Sequence, residues 1–327
     1  MDYLMYAKKV LSLHEVSYDE IEFIRHNENI IYKLTDILHK KSYVLRIHKS
    51  NVLGLTGVGH TYEGLASEME FLTYLSENTS LKVQTPLLNL AGEYVTTYSD
   101  EEFQVPVYST LMEWLDGSTL TLKEDNLDDI IFSIGEKVAI LHEASRRFHP
   151  KEGFIRPEYS LSSLKSAMTD IKYGVEVGLY TMEQYQLMQK VAERVIDKIR
   201  ILDQKSDAWG IIHADYQLGN IIINNGEPNF IDFSLSGYGY YLFDLGSAAT
   251  IVDSDKRNIF LDGYSSKLPF TYDDLQYIDC LIFADVFISY NLFINDEKNR
   301  GWIKKSAECL NNIFSKFLEG EIVFYSL

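Results

Sequence analysis

The stretch WGIIHADYQLGNIIINNGEPNFIDFSLSGYGYYLFDLG, residues 209–246, combines short apolar runs with polar residues at the ends of those runs. Three short strands are predicted, the first two joined as a hairpin, from the runs at 209–213, 220–223 and 230–233. The hairpin loop would hold Asp215, with Asn220 at its exit, and Asp232 would end the third strand. A carboxylate and a carboxamide that converge through oxygen suit Mg²⁺, a hard cation that shares phosphate oxygens. The stretch therefore predicts a metal–phosphate site in which Asp215 is free to accept a proton from a hydroxyl group.

The size and composition of the chain predict a globular protein with two lobes. Its 327 residues exceed the length at which one hydrophobic core usually stops growing. Hydrophobic residues make up 46% of the chain and charged residues 24%, which is ordinary for a folded protein. Only six prolines are present, and no Ser/Gly/Pro-rich linker separates two halves. Two lobes of a single unit therefore fit better than two independent domains.

Charge and cysteine content limit the class of partner and the compartment. A formal net charge of −18 argues against a nucleic-acid groove, which needs a basic stripe. Cys280 and Cys309 are isolated and form no metal-binding or disulfide pattern. The N-terminal residues lack the pattern of a signal peptide, and the apolar segment 281–294 is too short and polar for a membrane span. We expect a cytoplasmic protein with no membrane partner, and the oligomeric state stays open.

Hydrophobic periodicity predicts a β-rich first third followed by a helical remainder. A helix within residues 1–16 is expected to precede five strands, at 21–24, 30–34, 43–48, 94–98 and 105–114. A helix with an apolar face begins near Leu65 and separates the third strand from the fourth. The four glycines of residues 51–64 match no phosphate-loop spacing, so this segment is predicted to be a flexible connection. From Asn126 onward the pattern is mainly helical, apart from the stretch 209–246.

The pattern H-A-D-x-x-x-x-N followed by I-D-F resembles the catalytic segment of the aminoglycoside phosphotransferase family. That family includes choline, homoserine and fructosamine kinases, and its fold is similar to that of protein kinases. The resemblance implies that Asp215 positions or deprotonates the acceptor hydroxyl group. It further implies that Asn220 and Asp232 hold Mg²⁺ against the phosphates of ATP. His213 and Asp244, in the segment GYGYYLFDLGS, would support the catalytic loop without taking part in the chemistry.

The resemblance extends upstream and implies a nucleotide site. Arg46, in YVLRIH, matches the phosphate-contacting cation of the third strand, and Glu68, in SEMEFLTYL, matches its helical ion-pair partner. The segment LMEWLDG is similar to the hinge whose backbone binds adenine, which places Glu113 and Leu115 beside the base. Asn29, in NENIIYKL, sits like the asparagine of the first hairpin. The implied cofactors are ATP, with GTP possible, and Mg²⁺.

The fold class expected from these features is α+β, a two-lobed protein kinase-like fold. The N-terminal nucleotide-binding lobe, a small antiparallel sheet with one main helix, would span residues 1–112. Residues 113–117 would form the hinge, and residues 118–327 a larger, mostly helical lobe with the catalytic and substrate sites.

Departures from the family pattern bear on the acceptor. Arg46 stands where the aminoglycoside and protein kinases have lysine, and the two cations bind phosphate with different geometry. The metal motif reads DFS, and the one string that resembles the protein-kinase APE motif, at Arg156, precedes the catalytic loop. A small-molecule hydroxyl acceptor is therefore favoured. An aminoglycoside or other amino-bearing alcohol, a macrolide, a sugar and an amino-acid hydroxyl all stay open, as do an atypical protein kinase and a nucleotide-binding pseudokinase scaffold.

Overall fold

The computed structural model describes residues 3–26, 29–48, 55–99, 106–205 and 207–327. A short helix, α1 (Tyr3–Leu11), precedes a five-stranded antiparallel sheet. Its strands, in spatial order β1-β2-β3-β5-β4, are β1 (Glu20–His26), β2 (Asn29–Asp36), β3 (Lys41–His48), β4 (Val95–Tyr98) and β5 (Val107–Glu113). All five predicted strands are present. Parts of the predicted first hairpin (27 and 28), glycine-containing connection (51–54) and fifth strand (105) lie outside the described residues.

The sheet is covered on both faces, which explains the near-continuous burial of its central strand. One face of β2, carrying Tyr32 and Leu34, packs in one cluster with Tyr6 and Val10 of α1. On the other face, Ile31 belongs to a cluster that also contains residues of the long helix α2 (Tyr62–Asn78). Strand β3 is buried from residue 43 to residue 48 because it has a covered face on each side.

Helix α2 starts earlier than its apolar periodicity predicts. A 3₁₀ turn, Leu55–His60, leads into it, and the Thr61 hydroxyl accepts a hydrogen bond of 3.0 Å from the Gly64 N–H. This cap satisfies one of the free amide groups of the first turn. The described part of the glycine-containing segment is thus ordered as a turn and a capped helix start, contrary to the expected flexible connection.

The larger part of the chain is helical and contains two small sheets. The helices are α3 (Leu127–Arg147), α4 (Leu161–Asp170), α5 (Tyr173–Glu176), α6 (Met182–Leu202), α7 (Tyr241–Ala249), α8 (Arg257–Ser265), α9 (Leu275–Phe293) and α10 (Glu297–Glu319). The strands are β6 (Ser118–Thr119), β7 (Trp209–Ile212), β8 (Ile221–Asn224), β9 (Glu227–Phe230) and β10 (Gly237–Tyr240).

The strand pairing in residues 209–246 differs from the predicted hairpin. Strand β7 pairs with β10, whereas β8 pairs with β6 and β9, so the first two predicted strands belong to different sheets. The tight hairpin is instead β8–β9, closed by Asn225 and Gly226, both with positive φ. That sequence favours a type I′ turn. The predicted third strand is also shifted, because β9 ends at Phe230 and Asp232 has a left-handed backbone with φ 65°.

Helix α9 is the most apolar helix of the larger part. The stretch Tyr272–Phe293 is the one helical segment, among the described residues, long and apolar enough to cross a membrane. Length and composition alone do not distinguish a membrane span from a core helix of a globular protein. In this structure 61% of its apolar 18-residue stretch is buried, and the helix packs against α4, α6 and α7. A buried helix is therefore present where one was predicted.

The architecture confirms the predicted α+β class, with a small antiparallel sheet and one long helix beside a mainly helical body. Strand β5 ends at Glu113 and the first long helix of the body begins at Leu127. The division of the chain into lobes at residues 113–117 stays a prediction.

Candidate active site

A cavity of about 470 Å³ lies between the five-stranded sheet and the β7–β9 region. Its apolar lining includes Ile31 and Val44 of the sheet, together with Trp114, Ile222 and Ile231. The charged and polar residues that line it include Arg25, Asn29, Arg46, Asp215, Gln217, Asp232 and Ser234. A cavity of this size with one apolar and one charged set of groups suits a ligand that has an aromatic part and a polyanionic part.

Asp215 and Asn220 are held together by the loop after β7. The Asn220 amide Nδ2 donates to the Asp215 carboxylate Oδ2 at 2.8 Å and to the Asp215 carbonyl at 3.0 Å. Ala214, with φ 60°, allows the turn that brings Asp215 into the cavity. Burial, and next the negative charge of Asp232, raise the pKa of Asp215 to about 7. A carboxyl group in this range is well matched to accepting a proton from a hydroxyl group.

Asp232 faces the same cavity from the other side of the β8–β9 hairpin. Ser234 Oγ donates to its Oδ1 at 2.8 Å, and Arg25 Nη2 lies 3.0 Å from its Oδ2. Arg46 Nη1 lies 4.0 Å from Asp232 Oδ1. Burial works against ionisation, but Arg46, Ser234 and Arg25 together outweigh it and hold the pKa of Asp232 below its usual value. Asp232 is therefore a carboxylate, the form that a metal ion requires. Asp215 and Asp232, which line the cavity, together with Asn220, which is hydrogen bonded to Asp215, are called the cavity cluster.

Arg46 and Glu68 form a buried ion pair at the inner wall of the cavity. Arg46 Nη2 donates to Glu68 Oε1 at 2.7 Å, from the middle of β3 to the middle of α2. Both side chains are almost fully buried. This pair orients the Arg46 guanidinium group toward the cavity that it lines.

Arg156 is a buried residue of this region to which the sequence patterns assigned no role. Its guanidinium group donates to the carbonyl groups of Ser236 (2.7 Å), Gly64 (3.0 Å), Phe233 (2.9 Å) and Ser234 (2.7 Å). It also lies 3.7 Å from Glu68 Oε2. Arg156 thus fixes the turn after Asp232 relative to α2. In the sequence only the RPE string drew attention to Arg156. No local pattern could reveal its partners, because they lie far away along the chain.

Asp244 supports the loop after β7 from beneath. The backbone N–H groups of His213 and Ala214 donate to its two carboxylate oxygens at 3.1 Å and 2.9 Å. His142 Nε2 lies 3.0 Å from Asp244 Oδ2, and His142 Nδ1 lies 3.0 Å from the Tyr264 hydroxyl oxygen. An imidazole protonated on Nε2 satisfies both contacts, with the tyrosine hydroxyl as donor to Nδ1. Asp244, its two loop amides and His142 form the Asp244 cluster.

His213 is a fully buried part of the loop. Its ring stacks on Tyr216 at 4.6 Å between centroids and contacts Phe233 at 4.5 Å. Its Nε2 lies 3.1 Å from the Ile231 carbonyl oxygen, and its Nδ1 lies 3.3 Å from the Asp215 N–H. Burial lowers the pKa of His213, so the neutral ring accepts from one backbone group and donates to the other. These contacts account for the histidine by packing and hydrogen bonding.

The segment after β5 borders the cavity through part of its length. Leu115 and Gly117 line the cavity, whereas Glu113, whose side chain is exposed, is not among the described lining residues. The Glu113 N–H donates to the Thr85 carbonyl at 2.8 Å. Gly117 has φ 140°, and a Cβ atom there would lie 2.3 Å from the Ile223 carbonyl oxygen. Glycine is therefore required for the close approach of this segment to β8.

The cavity cluster fits a divalent cation shared with phosphate. Because Asn220 Nδ2 donates to Asp215, its Oδ1 is the side-chain atom left to bind a metal ion. No group of three or more His, Cys, Asp or Glu side chains suited to a metal ion occurs in the described part of the chain. Mg²⁺ does not need such a group, because it is commonly bound by one or two protein oxygens, water and substrate phosphates. Asp232 and Asn220 satisfy that requirement.

A small antiparallel sheet and a long helix, set against a helical body with the charged cavity between them, define a protein kinase-like fold. The sequence model of the phosphotransferase enzyme family matches residues 21–277. The chain belongs to this family, and the resemblance inferred from the HAD and IDF motifs is confirmed.

Relatives of known structure share the whole fold at low sequence identity. An amicoumacin kinase solved with AMP-PNP, Ca²⁺ and Ami superimposes with a TM-score of 0.75 and 19% identity, covering 96% of this chain and 94% of that one. A microcompartment-associated aminopropanol kinase gives a TM-score of 0.76 and 19% identity, covering 97% and 98%. The amicoumacin kinase of Bacillus subtilis (strain 168) is 22% identical over 232 residues, 70% of this chain and 62% of that protein.

Proposed function

We propose that this protein is an ATP- and Mg²⁺-dependent small-molecule kinase that phosphorylates a hydroxyl group. The observation that carries the proposal is that Asp215, Asp232 and Arg46 line one cavity, with Asn220 hydrogen bonded to Asp215 beside it. A proton acceptor, two metal-binding oxygens and a phosphate-binding cation are the groups that phosphoryl transfer needs. Membership of the phosphotransferase family supports the same reaction.

The nucleotide would bind between an N-terminal lobe of residues 1–112 and a C-terminal lobe of residues 118–327, with residues 113–117 as the hinge. Because the N–H groups of Glu113 and Trp114 already donate to Thr85 and Ser42, adenine would use the Glu113 carbonyl group and the Leu115 N–H. The apolar lining residues would contact the base, and Arg46, oriented by Glu68, would bind the phosphates. GTP could use the same site.

Catalysis would depend on alignment and charge neutralisation. Mg²⁺ held by Asn220 and Asp232 would neutralise the developing charge on the phosphates. Asp215 would orient the acceptor hydroxyl and accept its proton while the oxygen–phosphorus bond forms and the bond to the ADP oxygen breaks. The relative solved with AMP-PNP and Ca²⁺ supports a nucleotide with a divalent cation in this fold.

For the acceptor, we propose an amino-bearing alcohol. Asp285, Ser289 and Phe293 follow one another at a spacing of four along α9, and Phe293 lines the cavity. Asp285, hydrogen bonded to Ser289 at 3.2 Å, is one of the charges that raise the pKa of Asp215. Burial raises the pKa of Asp285 itself to about 6. An ammonium group beside Asp285 would offset that burial, and two relatives are named as amicoumacin and aminopropanol kinases.

The location that suits this reaction is the cytoplasm, where ATP and Mg²⁺ are available. Cys280 is buried and Cys309 is exposed, and both are free thiols, which suits a reducing compartment.

The proposal is tested by Asp215→Asn in an ADP-release assay over amino alcohols, aminoglycosides, macrolides and sugars. The variant removes the proton acceptor but keeps the shape, so turnover should fall about 10²- to 10⁴-fold while Mg·ATP binding is unchanged. The exposed Asp253→Asn is the matched control and should keep full activity. Transfer by Asp215→Asn near the wild-type rate would contradict the assignment. ATP binding without ADP release for any acceptor would favour a nucleotide-binding scaffold.

A further inference from the structure

Strand β1 contains a bulge that changes the direction of one arginine. Phe23 pairs with Tyr32 and Arg25 pairs with Ile31, so Ile24 is an extra residue opposite no partner on β2. In a regular ladder Ile24 would pair with Ile31, and Arg25 would pair with Ile30. A bulge re-aims the side chains that follow it, because it shifts the strand register by one residue.

The shift decides which face of the sheet Arg25 occupies. Ile30 and Tyr32 belong to the cluster that packs on α1, whereas Ile31 lines the cavity. Paired residues of adjacent antiparallel strands point to the same face, so pairing with Ile31 places Arg25 on the cavity side. Arg25 does line the cavity. In the regular register Arg25 would have lain on the opposite face, which α1 covers and where His26 pairs with Ile30.

Two arginines therefore approach Asp232, and they are held in different ways. Arg46 is buried and already paired with Glu68 at 2.7 Å, so its position is set by the protein. Arg25 is 50% exposed, and Asp232 is the one carboxylate with which it pairs among the described residues, at 3.0 Å. An exposed pair of this kind contributes little to stability and exchanges partners readily. Arg25 is thus the cation of the site that can move.

We propose that Arg25 exchanges partners during nucleotide binding, leaving Asp232 for the terminal phosphate when a divalent cation binds that carboxylate. This inference rests on the proposed function. A metal ion bound to Asp232 would lie close to the Arg25 guanidinium group on Oδ2, and repulsion between the two cations would weaken that ion pair. A terminal phosphate offers the guanidinium group a bidentate partner close by, so the arginine keeps a full set of charged hydrogen bonds.

The proposed exchange predicts that Arg25→Met changes metal affinity and ATP affinity in opposite directions. Without nucleotide, the variant should bind a divalent cation more tightly, because the competitor for Asp232 is gone. In the presence of Mg²⁺, it should bind ATP about 10- to 100-fold more weakly, the range expected for lost hydrogen bonds to a charged group. AMP, which lacks the terminal phosphates, should bind equally well to both proteins. Loss of structure alone would weaken every ligand together.

The experiment uses the full chain and two binding measurements that do not depend on turnover. Mn²⁺ alone is titrated by electron paramagnetic resonance, and ATP, ADP and AMP are titrated by calorimetry with Mg²⁺. Arg25→Lys should keep part of the ATP affinity, because it keeps the charge without the bidentate geometry. Arg200→Met is the matched control, because Arg200 is also exposed and pairs with a single carboxylate, Asp197, at 2.9 Å. It should change neither affinity.

The role of Arg25 would be overturned by Mn²⁺ and ATP affinities that fall together in Arg25→Met, or by an ATP affinity equal to that of the wild type. An equal loss of AMP affinity would also contradict it, since AMP has no terminal phosphate for the arginine to bind. Failure of the proposed function gives a different result, in which the wild-type chain itself binds no Mg·ATP, and that result would remove this inference as well.

Discussion

Asp232 and Asp244 lie twelve residues apart, yet their surroundings are opposite. Asp244 is fully buried, and its oxygens accept from two backbone N–H groups and contact His142. Asp232 is 22% exposed on the cavity wall, and its charged partners are long arginine side chains from β1 and β3. One carboxylate has partners supplied by the backbone and the core. The other has partners that can be replaced.

The difference suits Asp244 to a supporting role and Asp232 to the ligand binding proposed above. Backbone amides cannot leave Asp244 without unfolding the loop, so this residue fixes the position of Asp215 but cannot bind a ligand. Asp232 must release one interaction before it gains another, which requires partners whose loss costs little. The change Asp→Asn should therefore reduce stability strongly at position 244. At position 232 it should change ligand binding much more than stability.

The largest loss of stability is expected for Asp244→Asn. The new amide group places a donor against a backbone N–H, which loses a buried hydrogen bond and leaves its partner unsatisfied. The free energy of unfolding should fall by about 3 kcal/mol. Chemical denaturation measures this change, with the exposed Asp262→Asn as the control that should stay within about 0.5 kcal/mol. A loss below about 1 kcal/mol would mean that the Asp244 cluster does not hold the loop.

Asp279 has a third kind of environment, in which only one oxygen of a buried carboxylate has a hydrogen-bond partner. Its Oδ2 accepts from the Val323 N–H at 2.8 Å, and its Oδ1 has no partner within the described residues. Burial raises the pKa of Asp279 to about 6, although hydrogen bonding to the backbone of Val323 and Phe324 opposes this rise. The folded state therefore holds a proton between the unfolded pKa of 3.8 and about 6 that the unfolded state has released. Its stability decreases as the pH rises through this range.

Asp279→Asn should remove this loss, because the amide cannot ionise and its oxygen still accepts from Val323. The free energy of unfolding of the variant, relative to that of the wild type, should increase by about 2 kcal/mol between pH 4.5 and pH 7.5. Denaturation curves across this range measure it, with the exposed Asp273→Asn as the control that should show no such trend. A difference that is constant with pH would contradict a raised pKa in the folded protein.

The smallest effect on stability is expected for Asp232→Asn. The amide can keep the hydrogen bond from Ser234, and the ion pair with Arg25 is partly exposed, so stability should change by no more than about 1 kcal/mol. Nucleotide binding should nevertheless lose its dependence on Mg²⁺, because the metal loses its charged ligand. Calorimetric titration of ATP with and without Mg²⁺ measures this. A Mg²⁺ dependence equal to that of the wild type would exclude Asp232 as the metal ligand.

Local contacts of the site were readable from the sequence because they span few residues. Asp215 and Asn220 are five residues apart, and a single loop with a 3₁₀ turn brings their side chains together. The Asn-Gly pair at 225–226 likewise favours its hairpin through local backbone preference, although the sequence patterns had paired β7 with β8. Periodicity located the long helices, since an apolar face repeats every 3.6 residues wherever a helix covers a core.

By itself, the sequence determined the protein family and the α+β class, and it predicted the residues of the cavity cluster, because motif spacing and apolar periodicity are properties of neighbouring residues. Only the tertiary structure decided that β7 pairs with β10, that Arg156 joins α2 to the turn after Asp232, and that Arg25 reaches Asp232 across 207 residues. These contacts depend on packing and on strand register. A shift of one residue in that register moves a side chain to the other face of the sheet, and no local pattern in β1 records the shift.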